Sequence, residues 1–426
     1  MQTVLEFPYG KERVAHDFKD ENLIGVLTSS LGEYQPTLCG TALVREAMAN
    51  PIASPSLAEL CVRKNKIVII ASDHTRPVPS KIIIPPMLDE IRRGNPDAEI
   101  TILIATGCHR ETTEAELISK FGEEIVRSER IVIHDSTDAS SLVSLGRLPS
   151  GGELLVNRLA AEADLLLAEG FIEPHFFAGF SGGRKSVLPG IAGKETVLAN
   201  HCGEFIAHPR SRTGILDKNP IHEDMLWAAK RARLAYVVNV IIDESKEAIY
   251  AVAGEPEAAH RVGCAFLSEL CRAKPIPADI VVTTNGGYPL DQNIYQSIKG
   301  MTAAEATVRE GGVIIMLASA TDGHGGEELY RQLADEPDGE KTMQAILARS
   351  RNETIPDQWQ LQILLRILSR ARVIFVSEAP DEMVRDMHMI PATGLSEALT
   401  IAKELLGCER PSITAIPDGI SVVVAD

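Results

Sequence analysis

Five segments of this 426-residue chain hold side chains that can move protons, bind anions or ligate a metal. The richest spans 173–193 (EPHFFAGFSGGRKSVLPGIAG) and brings His175, Lys185 and several glycines into one stretch. Gly182 and Gly183 would let backbone N–H groups come close to an anionic ligand. Lys185, one residue beyond them, is a phosphate partner or a desolvated nucleophilic amine. A flexible surface loop is the competing reading, and Phe176 and Phe177 speak against it. Two familiar motifs are approached and missed. A phosphate-binding P-loop needs Gly directly before its Lys, and Arg184 stands there. The string Gly179-Phe180-Ser181-Gly182-Gly183 has the G-x-S-x-G form, but a nucleophile elbow needs a strand immediately before the serine, and the nearest apolar run ends at Ala168.

The other four segments are shorter. Ser72-Asp73-His74-Thr75-Arg76-Pro77 follows an apolar run; Asp73 could orient a ribose or a cation, and Arg76 could clamp a carboxylate or phosphate through its planar fork. A solvated turn is the plainer alternative. Ala105-Thr106-Gly107-Cys108-His109-Arg110 also follows an apolar run, and His109 is of the type that titrates near neutral pH and serves as a general acid or base. Taken alone, that loop reads equally as a polar helix cap. In Ala199-Asn200-His201-Cys202, His201 and Cys202 suit a borderline metal such as nickel, copper or zinc. The segment from Asn285 to Gly300 holds Tyr295, Gln296 and Lys299; on a helix, Tyr295 and Lys299 share one face and could grip a small carboxylate. No G-x-G-x-x-G fingerprint supports an ordinary NAD site.

The elements that must position these residues follow from periodicity. Short β-branched runs at 66–71, 99–105, 130–134, 163–168, 278–283, 312–318 and 372–376 read as buried strands. Amphipathic stretches separate most of them: 85–93 with its two prolines in a first turn, 114–124, 256–271, 303–309, 326–334 and 358–369. Runs at 233–243 and 247–252 flank a polar turn and read as an antiparallel hairpin. Apolar strands alternating with helices indicate an α/β fold with mainly parallel sheets flanked by helices. Two such lobes are expected, with an active-site cleft between them. The proline pair in Lys274-Pro275-Ile276-Pro277 divides an N-terminal domain, 1–273, from a C-terminal one, 274–391. Residues 392–426 are expected to return to the first domain. The long stretch 170–212 has no clear strand, and loops of that length are usually functional.

Composition narrows the classes. With 42 Lys and Arg against 59 Asp and Glu the net charge is -17, which argues against a general nucleic-acid binder and against a polybasic membrane anchor. No apolar run reaches the roughly 18 residues a membrane helix needs. The N-terminal MQTVLEF lacks the basic and apolar regions of a signal peptide. Seven cysteines, an odd number without C-x-x-C, argue against a disulfide framework and point to a reducing cytoplasm.

Taken together and in this order from Asp73 to Lys299, the five segments resemble the nickel-dependent lactate racemase family, and the block from His175 to His201 is the most specific part of the likeness. The resemblance implies a racemase or epimerase that inverts C2 of a 2-hydroxy carboxylate by reversible hydride transfer. It implies a nickel-pincer nucleotide, a pyridinium-3-thioamide-5-thiocarboxylate mononucleotide that binds nickel through two sulfurs and a ring carbon and is made by other enzymes. It makes Lys185 the thioamide tether, His201 the nickel ligand, and His109 and His175 the acid/base pair. Ser72, Asp73, Gly182 and Gly183 would then line the cofactor, and Arg76, Tyr295, Gln296 and Lys299 the substrate. Phe176 and Phe177 beside His175 favour a small, lactate-sized acid. A zinc-dependent hydrolase built on His109, His175 and His201, or a phosphate-ligand binding protein without chemistry, would use the same segments.

Overall fold

The structure is a computed structural model and describes residues 4–243 and 245–425. The chain divides into two compact α/β units. The first comprises residues 31–201 and 208–270. Its six-stranded sheet has the spatial order Ala248–Gly254, Leu234–Ile242, Leu165–Phe171, Lys66–Ser72, Glu99–Ala105, Arg130–Ile133. Every pairing is parallel except that of Leu234–Ile242 with Ala248–Gly254. That is the hairpin read from the sequence, since a polar turn can join only antiparallel neighbours.

The strand Lys66–Ser72 is central, with Ile67, Ile69, Ile70 and Ala71 fully buried. Burial on both faces explains why the run is apolar throughout instead of alternating. From this strand the chain winds outward one way through Glu99–Ala105 and the other way through Leu165–Phe171, which makes a topological switch point. Ligands in open α/β sheets bind beyond the carboxyl ends of the strands at such a point. The loops carrying Asp73, His109 and His175 all leave carboxyl ends of these three neighbouring strands.

Local readings needed two corrections here. The helix expected at 85–93 runs over Ser80–Gly94, so Pro85 and Pro86 lie inside it and not in its first turn. Ile83, Ile84, Met87 and Ile91 on one face are fully buried, and that burial outweighs the backbone hydrogen bonds the prolines cannot make. The helix expected at 114–124 is two, Glu114–Phe121 and Glu123–Ser128. Gly122 between them has φ +88°, a conformation that ends a helix.

The second unit comprises the chain up to Ser30, residues 202–207, and everything from Cys271 onward. Its sheet is wholly parallel, in the order Ile390–Ala392, Arg372–Val376, Val308–Leu317, Ala278–Thr284, Ser412–Ile416, Asn22–Val26. The C-terminal segment therefore does not return to the first unit, and the N-terminal strands do not belong to it. Ser412–Ile416 pairs with Ala278–Thr284 on one side and Asn22–Val26 on the other, and the helix Leu395–Leu406 buries Ala398, Leu399 and Ala402 in this unit's core. Both edges of the strand are thereby paired. The helix expected at 303–309 is Ile294–Glu305, capped by Asn293, whose side chain accepts from Gln296 N–H. Val308 already begins the next strand.

Candidate active site

The turn after Lys66–Ser72 is organised by one carboxylate. Asp73 is 1% exposed. Its Oδ1 accepts from the Thr75 N–H at 3.1 Å and the Thr75 hydroxyl at 2.7 Å, and its Oδ2 lies 2.7 Å from His109 Nδ1. Burial alone would raise the Asp73 carboxyl; the hydrogen bond and charge of His109, with help from Thr75 and Arg76, hold it below its ordinary value. An ionised Asp73 can only accept, so Nδ1 of His109 carries the ring proton. In the neutral ring Nε2 then bears a lone pair, the arrangement of a general base with an orienting carboxylate behind it. The His109 side chain remains 43% exposed, so the ring is open to a ligand. Asp73 thus turns its oxygens to Thr75 and His109, not outward as a cofactor contact. Ser72 is likewise turned inward, its hydroxyl donating to Glu169 Oε1 at 3.2 Å. Arg76 keeps its guanidinium beside Thr75, with Nη1 3.1 Å from Oγ1.

The loop 173–193 is built from short regular elements. Pro174–His175 and Gly179–Phe180 pair antiparallel, and Gly183–Ser186 forms a 3₁₀ turn. His175 stacks on Phe176 with ring centroids 5.0 Å apart and meets Phe177 edge-on at 4.5 Å. Its Nδ1 lies 3.3 Å from the Ala178 N–H, a group that can only donate. The proton of the neutral His175 ring therefore sits on Nε2, opposite to His109.

Phe177 also meets two further residues. Lys185 Nζ stands 5.7 Å from its ring centre, and the His201 ring lies 5.1 Å from it at 82°. His201 is buried and its Nδ1 donates to Val197 C=O at 2.9 Å, so in the neutral ring the lone pair lies on Nε2, the nitrogen that would ligate a metal. Burial, then the Lys185 charge, push its pKa down to about 3, so it stays neutral. A lysine amine and a neutral imidazole that both lie within 5.7 Å of one phenyl ring centre would suit a group tethered at Lys185 and ligated by His201. The two site regions are joined through backbone: Gly107 N–H donates to Gly190 C=O at 2.9 Å, and Gly190 N–H to Lys185 C=O at 3.1 Å.

The glycines at 182 and 183 serve packing. A Cβ on Gly182 would stand 2.7 Å from Phe171 O, and one on Gly183 would stand 2.8 Å from the His260 ring. Gly183 N–H donates to Asn239 Oδ1 at 2.8 Å, so it does not face an anion. Ser181, the G-x-S-x-G serine, is buried and donates to Phe171 C=O, which is a structural role. Arg184, 2% exposed, bridges the turn by donating to Ala178 C=O at 2.7 Å and Gly182 C=O at 3.2 Å. In the second unit Tyr295, Gln296 and Lys299 are half-buried in the first two turns of Ile294–Glu305, so the helical spacing read for them holds.

Sequence reasoning passed over Thr75, Glu169 and Asn239. The last two had a signal: each is a polar residue inside an otherwise apolar strand, LLLAEGF and LAYVVNVII. Among the described residues no group of three His, Cys, Asp or Glu side chains is placed to hold a metal. No described helix is long and apolar enough to cross a membrane.

Known proteins match this chain over nearly its whole length. Residues 9–214 match the family model of the lactate racemase N-terminal domain, and 273–424 that of the lactate racemase C-terminal domain. The chain is 54% identical over 423 residues to a lactate racemase of Thermoanaerobacterium thermosaccharolyticum, and 53% identical over 421 residues to one of Lactiplantibacillus plantarum, with 99% of this chain and of each relative covered. The solved apoprotein structure of the Thermoanaerobacterium lactate racemase superposes with TM-score 0.96 at 53% identity, covering 99% of this chain and 100% of that one. A Thermotoga maritima structure, 20% identical with TM-score 0.64 over 90% of this chain and 98% of that one, shares the fold. Fold and matches define the class: an α/β isomerase that acts as a racemase. The chain belongs to the lactate racemase family.

Proposed function

We propose that this protein interconverts the enantiomers of lactate, or of a 2-hydroxy acid of that size, with a nickel-pincer nucleotide attached at Lys185 and ligated by His201. The observation that carries the reading is an imidazole backed by a carboxylate, together with an amine and a neutral imidazole close to the Phe177 ring, in loops beyond the carboxyl ends of one sheet. Removing the C2 proton of a 2-hydroxy carboxylate would create a second negative charge beside the first, so inversion goes more easily by loss and return of hydride. When bound, the nickel-pincer nucleotide supplies a two-electron acceptor for that hydride.

The chain's own residues handle protons and orientation. His109 Nε2 takes the hydroxyl proton, and the Asp73 carboxylate stabilises the imidazolium that forms. His175 presents N–H at Nε2, the complementary role toward a substrate oxygen. Arg76 is assigned the substrate carboxylate. Tyr295, Gln296 and Lys299, which belong to the other unit, enter as substrate residues through the family likeness. Phe176 and Phe177 beside His175 suit an acid with a small tail. The cofactor's biosynthetic enzymes are the implied partners, and a reducing cytoplasm suits a chain with seven cysteines and no C-x-x-C.

The test loads the purified chain with the cofactor and supplies D-lactate or L-lactate alone. Either should approach a racemic mixture, with the covalent adduct visible on Lys185 by intact mass and peptide mapping. Loaded enzyme that leaves both enantiomers unchanged but inverts another 2-hydroxy acid would overturn the substrate. Inversion without the cofactor would overturn the chemistry.

A further inference from the structure

The turn that carries Asp73, Thr75 and Arg76 is held from beneath by a residue with no part in the proton chemistry. Glu169 sits in the central strand Leu165–Phe171 and is 2% exposed. Its Oε1 accepts three hydrogen bonds: from Ser72 N–H at 3.0 Å, the Ser72 hydroxyl at 3.2 Å and the Ser80 hydroxyl at 3.0 Å. Ser72 ends the strand before the turn and Ser80 begins the helix after it, so one oxygen ties both ends of the 73–79 segment. Ser80 spends its hydroxyl on Glu169, and its helix has no side-chain cap. A third tie comes from Lys120, whose Nζ donates to Arg76 C=O at 3.2 Å and reaches Val78 C=O at 3.4 Å.

We propose that Glu169 is a positioning residue for the racemase: by gathering Ser72 and Ser80 on one carboxyl oxygen it sets the turn from which Asp73 orients His109 and Arg76 reaches the substrate. The inference rests on the racemase reading above. The geometry explains a costly choice, because a charged residue in the middle of an apolar strand is otherwise destabilising. Burial lifts the Glu169 carboxyl above its ordinary range, against the opposing Lys120 charge and the three donors. Glu169 Oε2 is buried and has no hydrogen-bond partner among the described residues, so replacing it with an amide NH2 breaks no hydrogen bond. Orientation is what such a residue contributes, and a displacement of about 1 Å at a catalytic group can cost 10²-fold in rate.

The test compares Glu169→Gln, Glu169→Ala and Ser80→Ala in two measurements. Hydrogen exchange on the full chain without cofactor reports the turn directly. Kinetics with lactate, per cofactor-loaded molecule, report its consequence. Glu169→Gln keeps an oxygen for all three donors and should stay within about threefold of wild type in both. Glu169→Ala should exchange amides 73–80 about tenfold faster while strand Glu99–Ala105 is unchanged, and lose roughly 10- to 100-fold in kcat/KM, mainly in kcat. Ser80→Ala, which frees only the far end, should fall between. A folded Glu169→Ala with wild-type exchange at 73–80 and wild-type kcat/KM overturns the proposal. Should Glu169→Ala not fold, the same wild-type result in Ser80→Ala overturns it. Loaded wild type that fails to racemise lactate defeats the racemase reading instead, and the exchange measurement still judges Glu169.

Discussion

Asp73 Oδ2 lies 2.7 Å from His109 Nδ1, and this contact decides which nitrogen of His109 can act as a base. With the proton held at Nδ1, the lone pair at Nε2 is directed to the exposed side of the ring. Asp73→Asn keeps the shape but can present an amide N–H to Nδ1, which moves the ring proton to Nε2 and removes the base. Racemisation should fall by roughly 10²–10⁴-fold, the range for loss of a general base, with lactate KM little changed. Steady-state kinetics of the loaded variant decide; near wild-type kcat would show that the contact does not govern the chemistry.

His109 and His175 give a second expectation, in which His175 acts as a base once its ring proton moves from Nε2 to Nδ1. If each serves one enantiomer, His109→Ala and His175→Ala should each lose racemisation by roughly 10²–10⁴-fold. Each should retain a half-reaction with one enantiomer, and the two should differ in which. Single-turnover spectra with D- and L-lactate test this. A shared preference would mean that one imidazole handles both hands.

Lys185 is expected to act through its amine and not its charge. Lys185→Arg keeps a cation near Phe177 but offers no usable nucleophile. Both Lys185→Arg and Lys185→Ala should show the unmodified mass after exposure to the loading system. An adduct on the Arg variant, or full activity in it, would reduce Lys185 to an electrostatic contact.

Stability should fall in mild acid through buried histidines away from the acid/base pair. Burial, then the Arg184 charge, lower His222 from 6.5 to about 3, and the same two causes put His260 well below 6.5. Neither ring nitrogen of His222 has a hydrogen-bond partner among the described residues. With folded pKa values below the unfolded ones, the unfolded chain binds more protons in this window. Their contribution is thus complete above about pH 6.5 and is lost as pH falls below it, by roughly 1.4 kcal/mol per pH unit for each ring. Urea unfolding between pH 5 and 6.5 should show a slope shallower by about one proton in His222→Leu. An unchanged slope would mean that His222 is already charged in the folded chain.

Gly183 should resist substitution for a steric reason. Its φ is +52° and a Cβ would meet the His260 ring at 2.8 Å. Gly183→Ala should destabilise the apoprotein by about 1–3 kcal/mol, measured by thermal unfolding. An unchanged Tm would show that the loop yields without cost.

Much of this protein was decided locally and could be read from the chain. Runs such as KIVIIA and EITILIA can be little else than buried parallel strands, because each residue must meet apolar neighbours on both faces. The site residues could be named because they sit in loops directly after such strands. Their order from Asp73 to Lys299 carried the family likeness. What pairing alone decides was not legible. Ser412–Ile416 looks like any buried strand, and only its hydrogen bonds to Ala278–Thr284 and Asn22–Val26 assign it to the second unit. The same holds for protons. The sequence names His109, His175 and His201, but which nitrogen of each carries the ring proton depends on a carboxylate, an amide and a carbonyl brought within about 3 Å by the fold. Glu169 stood in plain view inside LLLAEGF, yet its task needs Ser72 and Ser80 on the same oxygen, and a contact between residues 89 positions apart exists only once the sheet has closed.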